Sequence, residues 1–178
     1  TKSKDLACSF QFFYCRIRRS NTDIAVLRIQ RVNLRFLKTK NLVETLARQG
    51  CDVALVDYDG EAAVREAARI AKETGKHVRG YACDVCSEGQ IIAAVGAVVE
   101  DFGRIDILVN NAGILLYGPK TDGRDPYLDY PIETWDKVLR TNLTGTWLMG
   151  REVVKQSMQF LGKGRIVNIA SVGGIRST

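Results

Sequence analysis

No stretch of the 178-residue chain approaches the roughly 18 consecutive apolar residues that a membrane-crossing helix needs, and the most apolar segment, around Ile91 to Val99, is broken within about ten positions. No integral membrane segment is expected. Histidine is nearly absent, His77 being the one copy, so a histidine-built metal site is not expected. The lone Cys83-Asp-Val-Cys86 pair supplies two of the four ligands that zinc takes, so no metal ligands are assigned. Glycine and proline are missing from residues 1 to 40, whereas the rest of the chain holds all 16 Gly and all three Pro. Methionine occurs only as Met149 and Met158, so Thr1 is not an ordinary translation start and a fragment or processed chain is expected.

What is present begins with 46% hydrophobic residues, enough for a sizeable core and too many for a disordered chain. The net charge of +6 is unevenly spread. Residues 1–40 carry ten Lys and Arg against two Asp and Glu, and residues 41–178 carry 16 against 18. A nucleic-acid arm is not favoured, because Phe10, Phe12, Phe13 and Tyr14 cluster instead of alternating with the basic residues. The cysteines, Cys8, Cys15, Cys51, Cys83 and Cys86, are odd in number with no secretory apolar segment ahead of them, which points to thiols in a reducing compartment such as the cytoplasm. The Arg-rich, acid-poor start leaves an organelle-targeting segment as the alternative, with scarce serine against it.

From Asn41 the pattern alternates helix and strand. Leu42, Val43, Leu46 and Ala47 form a helical stripe stopped by Gly50, and Asp52 to Asp57 is a short run apolar on both faces. Glu61 to Thr74 then reads as a helix ended by Gly75, and Val78 to Cys83 as a strand. Ser87 with Gln90 opens a helix as a capping box, stopped by Gly103, and Ile105 to Val109 is a third strand. After a long loop, Ile114 to Tyr130, a helix starts at Pro131 and runs to about Leu161, and Gly164 to Ala170 is a fourth strand. Strands separated by single helices require right-handed crossovers, hence an α/β fold with a parallel sheet wound on both faces. In such sheets ligands bind beyond the carboxyl ends of the strands. Those positions hold Asp57, Asp84-Val85, Asn110-Asn-Ala112-Gly113 and Ser171. Each alone is an ordinary turn residue; four in order at four successive strand ends point to a binding site.

Asn110-Asn-Ala-Gly113 after an apolar strand, Asn142 within Arg140-Thr-Asn-Leu-Thr-Gly145, and Gly164-Arg-Ile-Val-Asn-Ile-Ala-Ser171 resemble the short-chain dehydrogenase/reductase family over Asn41 to the end. The resemblance implies a Rossmann-like, doubly wound, three-layer α/β/α core, cut short at its carboxyl end, and NAD(P)-dependent hydride transfer between nicotinamide and an alcohol or ketone. It places Asp57 on the adenosine ribose, Asp84 and Val85 in the adenine pocket, and Asn110, Ala112 and Gly113 along the cofactor. Asn142 and Ser171 would be catalytic, Asn142 through a water and the family's lysine, Ser171 on the substrate oxygen. A carboxylate at Asp57 repels a 2′-phosphate and no Arg or Lys follows before Arg65, so NAD is favoured over NADP. The family's remaining catalytic groups, a Tyr-x-x-x-Lys pair, would fall near position 184, and none of the six tyrosines has Lys four residues later. The resemblance also implies pairing of the 132–161 helix between subunits as a homo-oligomer; Tyr117, Lys120 and Arg124 of the long loop beside the site are candidates to meet a polar or acidic substrate, with a solvated surface loop the favoured reading.

The family's Gly-rich phosphate turn would put glycines at 33, 37 and 39, where this chain has Asn33, Leu37 and Thr39. Residues 1–40 thus form an atypical basic segment standing in for the first strand and turn, ahead of an incomplete dinucleotide-binding core at 41–178. The spacing survives, with Ile24 to Ile29 where the first strand belongs. Preserved length with lost content is what translation in a shifted frame yields; an alternate frame with no Gly-rich turn before Asn41 would refute that. The other reading is a catalytically dead Rossmann-like binding or interaction module.

Overall fold

Short apolar strands and amphipathic helices bury both kinds of element when helices cover both faces of a parallel sheet. The computed structural model, which describes residues 24–29, 37–114 and 129–171, has this three-layer, doubly wound architecture. Its strands are β1 (Ile24–Ile29), β2 (Asp52–Asp57), β3 (Val78–Ala82), β4 (Ile107–Asn110) and β5 (Arg165–Asn168), all parallel, in the order β3-β2-β1-β4-β5. Helices α1 (Leu37–Arg48), α2 (Gly60–Thr74) and α3 (Glu88–Phe102) connect the first four strands. The order reverses beside β1, which lies at the centre of the sheet between β2 and β4. Ile24–Ile29 therefore occupies the first-strand position although its surroundings in sequence lack glycine.

Successive side chains point to opposite faces of the sheet, and in β2 and β4 both faces are buried. Val53 and Leu55 of β2, with Ile107 and Val109 of β4, face α1 and α2, where Val43, Ala47, Ala63, Ala67 and Ile70 complete one core. Ala54, Val56 and Leu108 face the other side, against Ile91, Val95 and Val98 of α3 and Leu148, Met149 and Val153. Each fully buried side chain of the size of Leu55 or Leu108 contributes about 2 kcal/mol. Helix α2 lies so close to β3 that a Cβ on Gly80 would stand 2.4 Å from the Ala63 carbonyl carbon and the Val64 nitrogen. Gly75 and Gly103 end α2 and α3 in the left-handed conformation, as their positions predict.

Several boundaries differ from the sequence reading. The stretch from Ile132 to Leu161 is helical throughout but not one α-helix: α4 (Ile132–Leu139), α5 (Gly145–Val153) and α6 (Gln159–Leu161) are separated by π-turns at Arg140–Thr144 and Val154–Met158. Pro131 sits just outside α4 as its N-cap. The capping box at α3 is half made: Ser87 accepts from the Gln90 N–H, but the Gln90 side chain accepts from the Asp84 N–H, because Ser87 N–H is already bonded to the Asp84 carbonyl. Ile105 precedes β4 instead of joining it, its N–H donated to the buried Ser157 hydroxyl at 2.7 Å. Strand β5 is shorter than the apolar run, and Ile166, Val167 and Ile169 are exposed around it. His77 has a packing role, its ring stacked 4.3 Å from that of Phe102. Among the described residues, no helix is long and apolar enough to cross a membrane.

Candidate functional site

Parallel register brings the carboxyl ends of the strands to one rim. Ile29 pairs with Asp57, Asp57 with Ala82, Arg28 with Asn110, and Asn110 with Asn168. Asp57 is therefore next to the reversal of strand order, the usual ligand position in open α/β sheets. One of its carboxylate oxygens accepts the Asp59 N–H at 2.8 Å, and Asp59 in turn caps α2 through the Ala62 N–H. The two consecutive turns hold Asp57 at the strand end as α2 begins. Asp84 makes the matching turn after β3, accepting the Cys86 N–H at 2.8 Å. Val85 beside it is 2% exposed and packs into the core, so it presents backbone to the rim while its side chain anchors the loop.

Asn110 ends β4 and is 3% exposed. Its Nδ2 donates to Asn168 Oδ1 at 2.9 Å, tying β4 to β5, and lies 3.5 Å from the Thr146 carbonyl. Its Oδ1 is buried with no hydrogen-bond partner, a state that costs about 1–3 kcal/mol where nothing else compensates it. Beyond it, Ala112 is buried and Gly113 approaches Asn142: a Cβ on Gly113 would stand 3.3 Å from Asn142 Oδ1. Asn142, within the first π-turn, clamps the same segment, accepting the Ile114 N–H and donating to the Ile114 carbonyl, both at 2.8 Å. Gly113→Val therefore pushes the Asn142 amide off Ile114 and should destabilise the chain by about 1–3 kcal/mol, measured by urea denaturation. An unchanged midpoint would show that the clamp yields without cost.

Ser171 is exposed beyond the end of β5, on the same rim as Asn110 and Asn168. The structure thus brings Asn110, Ala112, Gly113 and Asn142 together and sets Asp57, Asp84 and Ser171 along the rim on either side. Tyr117, Lys120, Arg124 and Asn33 lie outside the described residues. Sequence reasoning missed Arg140, Thr141, Thr146 and Asn168. The signal for Asn168 was its place two residues from each end of an apolar run, and for the others the polar cluster around Asn142. Leu37 and Thr39 both fall in the first turn of α1, the helix that follows the central strand. Tyr81 offers no substitute for a proton-exchanging tyrosine: burial, and its hydroxyl's bond to Asp101 at 2.6 Å, push its pKa upward, the wrong direction for that task.

A family profile described as Enoyl-(Acyl carrier protein) reductase matches residues 39–178. The chain belongs to the short-chain dehydrogenase/reductase family. It is 39% identical over 130 residues to a D-threitol dehydrogenase of Mycolicibacterium smegmatis, covering 73% of this chain and 46% of that protein. Among solved structures it is similar to an NAD+-bound xylitol dehydrogenase, with TM-score 0.74 and 33% identity over 90% of this chain and 57% of that one. An actinorhodin polyketide ketoreductase with NADPH gives TM-score 0.74 and 31% identity over 88% and 56%. The chain thus spans about half the length of the relatives it matches, and its sheet is of the Rossmann type that they share.

A nicotinamide dinucleotide meets an uneven fit on this rim. Asp57 offers a carboxylate at the end of β2, chemistry that suits vicinal hydroxyls, and the buried Asn110 Oδ1 is an acceptor without a partner at the end of β4. At the start of α1 the chain has Leu37 and Thr39 in place of the glycines that the family resemblance predicts.

Proposed function

We propose that this chain is the dinucleotide-binding part of an NAD-preferring oxidoreductase that interconverts a secondary alcohol and a ketone. The observation that carries this is the register that sets Asp57, Asp84, Asn110 and Ser171 along one rim beside the reversal of strand order. Asp57 holds the adenosine ribose hydroxyls and repels a 2′-phosphate; Asp84 and the Val85 backbone border the adenine; Asn110, Ala112 and Gly113 border the rest of the cofactor. Ser171 donates to the substrate oxygen, and Asn142, fixed by Ile114, orders the groups that carry the proton. The nicotinamide, when bound, supplies or takes up the hydride. The 178 residues hold no Tyr-x-x-x-Lys, so a polypeptide of these residues alone is expected to turn over no alcohol.

The exposed residues of α4, α5 and the π-turn after each, Trp135, Leu139, Leu143, Trp147 and Val154, form the self-association surface in this reading, and the compartment is the cytoplasm. A binding module without turnover is the second reading, favoured by Leu37 and Thr39. The NAD preference is tested in a variant whose phosphate turn is restored by Asn33→Gly, Leu37→Gly and Thr39→Gly. Calorimetry should give NAD at least about ten-fold tighter binding than NADP, with Asp57→Ala erasing the difference. Equal affinities before that substitution would contradict the role of Asp57.

A further inference from the structure

The first π-turn does more than place Asn142. Its opening residues, Arg140 and Thr141, both reach the loop between β3 and α3. Arg140 donates to the Cys86 carbonyl twice, from Nε at 3.2 Å and Nη2 at 2.7 Å, and the Thr141 hydroxyl lies 3.3 Å from Cys86 Sγ. The next residue, Asn142, holds Ile114 beyond β4. Three consecutive side chains of one π-turn therefore fasten the loops after two different strands. The turn closes through a Gly145 N–H to Arg140 carbonyl bond, which takes one residue more than an α-helical turn. Thr141 is buried, Asn142 is exposed, and Arg140 extends over the loop surface.

The loop that Arg140 grips is short and otherwise held from within. Asp84 accepts the Cys86 N–H, the Ser87 N–H is donated to the Asp84 carbonyl, and Gln90 accepts the Asp84 N–H. Those bonds fix the shape of the Asp84-to-Ser87 turn but leave its position over the rim to whatever grips it from outside. The Val85 side chain does so from below, in the core. Arg140 does so from the side, on the carbonyl next to Val85 and two residues from Asp84.

We infer that Arg140, with Thr141 behind it, is a positioning residue that latches the β3–α3 loop to the π-turn, so that the loop bordering the adenine and the Asn142 clamp are set by one element. This deepens the dinucleotide reading and rests on it for the consequence at the cofactor, whereas the latch itself is a property of the fold. Cys86 reports on it, because its carbonyl and thiol are the two groups the latch holds, while Cys83 in the core provides an internal reference.

The experiment measures alkylation of Cys86 and Cys83 by iodoacetamide, resolved by peptide mass spectrometry, in the 178-residue wild type, Arg140→Ala, Arg140→Lys and Thr141→Val, and repeats it with and without NAD, alongside NAD titrations, for the same substitutions placed in the chain whose phosphate turn is restored by Asn33→Gly, Leu37→Gly and Thr39→Gly. Arg140→Ala should speed Cys86 alkylation about five-fold or more, leave the Cys83 rate and the melting temperature unchanged, and weaken NAD binding by a similar factor. Arg140→Lys, which keeps the charge but loses the two-pronged donation, should recover only part of either effect, and Thr141→Val should speed Cys86 alkylation to a lesser degree. An unchanged Cys86 rate in Arg140→Ala would overturn the latch. A faster Cys86 rate with unchanged NAD affinity would overturn the positioning role, leaving a purely structural contact. A glycine-restored chain that neither binds NAD nor has Cys86 protected by it would count against the dinucleotide reading and the positioning role built on it, and the alkylation rates would then decide the latch by themselves.

Discussion

Asn110→Asp should destabilise the chain by about 3–5 kcal/mol at neutral pH, enough to unfold a domain of ordinary stability at moderate temperature. Asn110 Nδ2 is the donor in the bond to Asn168 Oδ1 and points toward the Thr146 carbonyl, so both neighbours present oxygen. An ionised aspartate has no donor to give them, and at 3% exposure it has little water either. The pH dependence separates this cause from a general loss of packing. The carboxylate's pKa in the folded variant is raised above the unfolded value of about 3.9 by burial and by the facing oxygens. A raised folded pKa gives stability that is complete below the unfolded value and is lost as pH rises through the folded one. The variant should therefore approach wild-type stability near pH 4, where the protonated acid donates to Asn168, and fall away toward pH 7. A deficit independent of pH in urea denaturation would contradict the role given to Nδ2.

The second large effect is expected at Gly80. A Cβ there would stand 2.4 Å from two backbone atoms of α2 and 2.5 Å from the Ala63 carbonyl oxygen. No rotamer change relieves a clash with backbone, so the helix must lift off the edge strand, opening contacts of Ala63 and Ala67 with Val53, Leu55 and Val78. Gly80→Ala should cost about 3 kcal/mol, toward the upper end for overpacking, and Gly80→Val more. Gly89→Ala is the control: nothing lies within 4 Å of the added carbon in α3, and alanine favours the helix by up to about 1 kcal/mol. Thermal denaturation of the two variants should move in opposite directions. A Gly80→Ala chain as stable as wild type would mean that α2 is not held against β3 as described.

The sheet and its rim were legible in the sequence because strand ends are written in short-range chemistry. Short, largely apolar strands closed by Asp57, Asn110 or a Cys-Asp pair, and helices closed by Gly75 and Gly103, report backbone geometry directly. The π-turns were not legible, because one extra residue in a helical stretch alters no local preference. Their trace is a longer spacing. Trp135, Leu139, Leu143, Trp147 and Arg151 recur every four residues, which in a regular α-helix would wind about 40° further round at each step. All four apolar members are nonetheless exposed, and Arg151 lies over the Trp147 ring at 5.0 Å. The extra residue of the π-turn between α4 and α5 works against that drift, while Leu148, Met149 and Val153 face the sheet. The Asn110–Asn168 bond was illegible for another reason: it joins residues 58 apart, and only register reveals it.

The choice of Gln90's partner shows the same limit at shorter range. Serine and glutamine three apart predict a reciprocal cap, but the Ser87 N–H was already taken by a turn whose existence depends on how the chain leaves β3. Local rules specify which groups can pair, and competition among them is settled by tertiary structure.

The most direct test of the dinucleotide site is calorimetric titration of NAD into the wild-type chain and into the Asn33→Gly, Leu37→Gly, Thr39→Gly variant, both confirmed folded by circular dichroism. If the rim is a nicotinamide dinucleotide site damaged at one place, the wild type binds weakly or not measurably, and the three glycines, by baring the backbone at the start of α1, tighten binding at least about ten-fold. Micromolar binding by the wild type would contradict the assigned effect of Leu37 and Thr39, and a folded variant with no gain over the wild type would contradict the site itself.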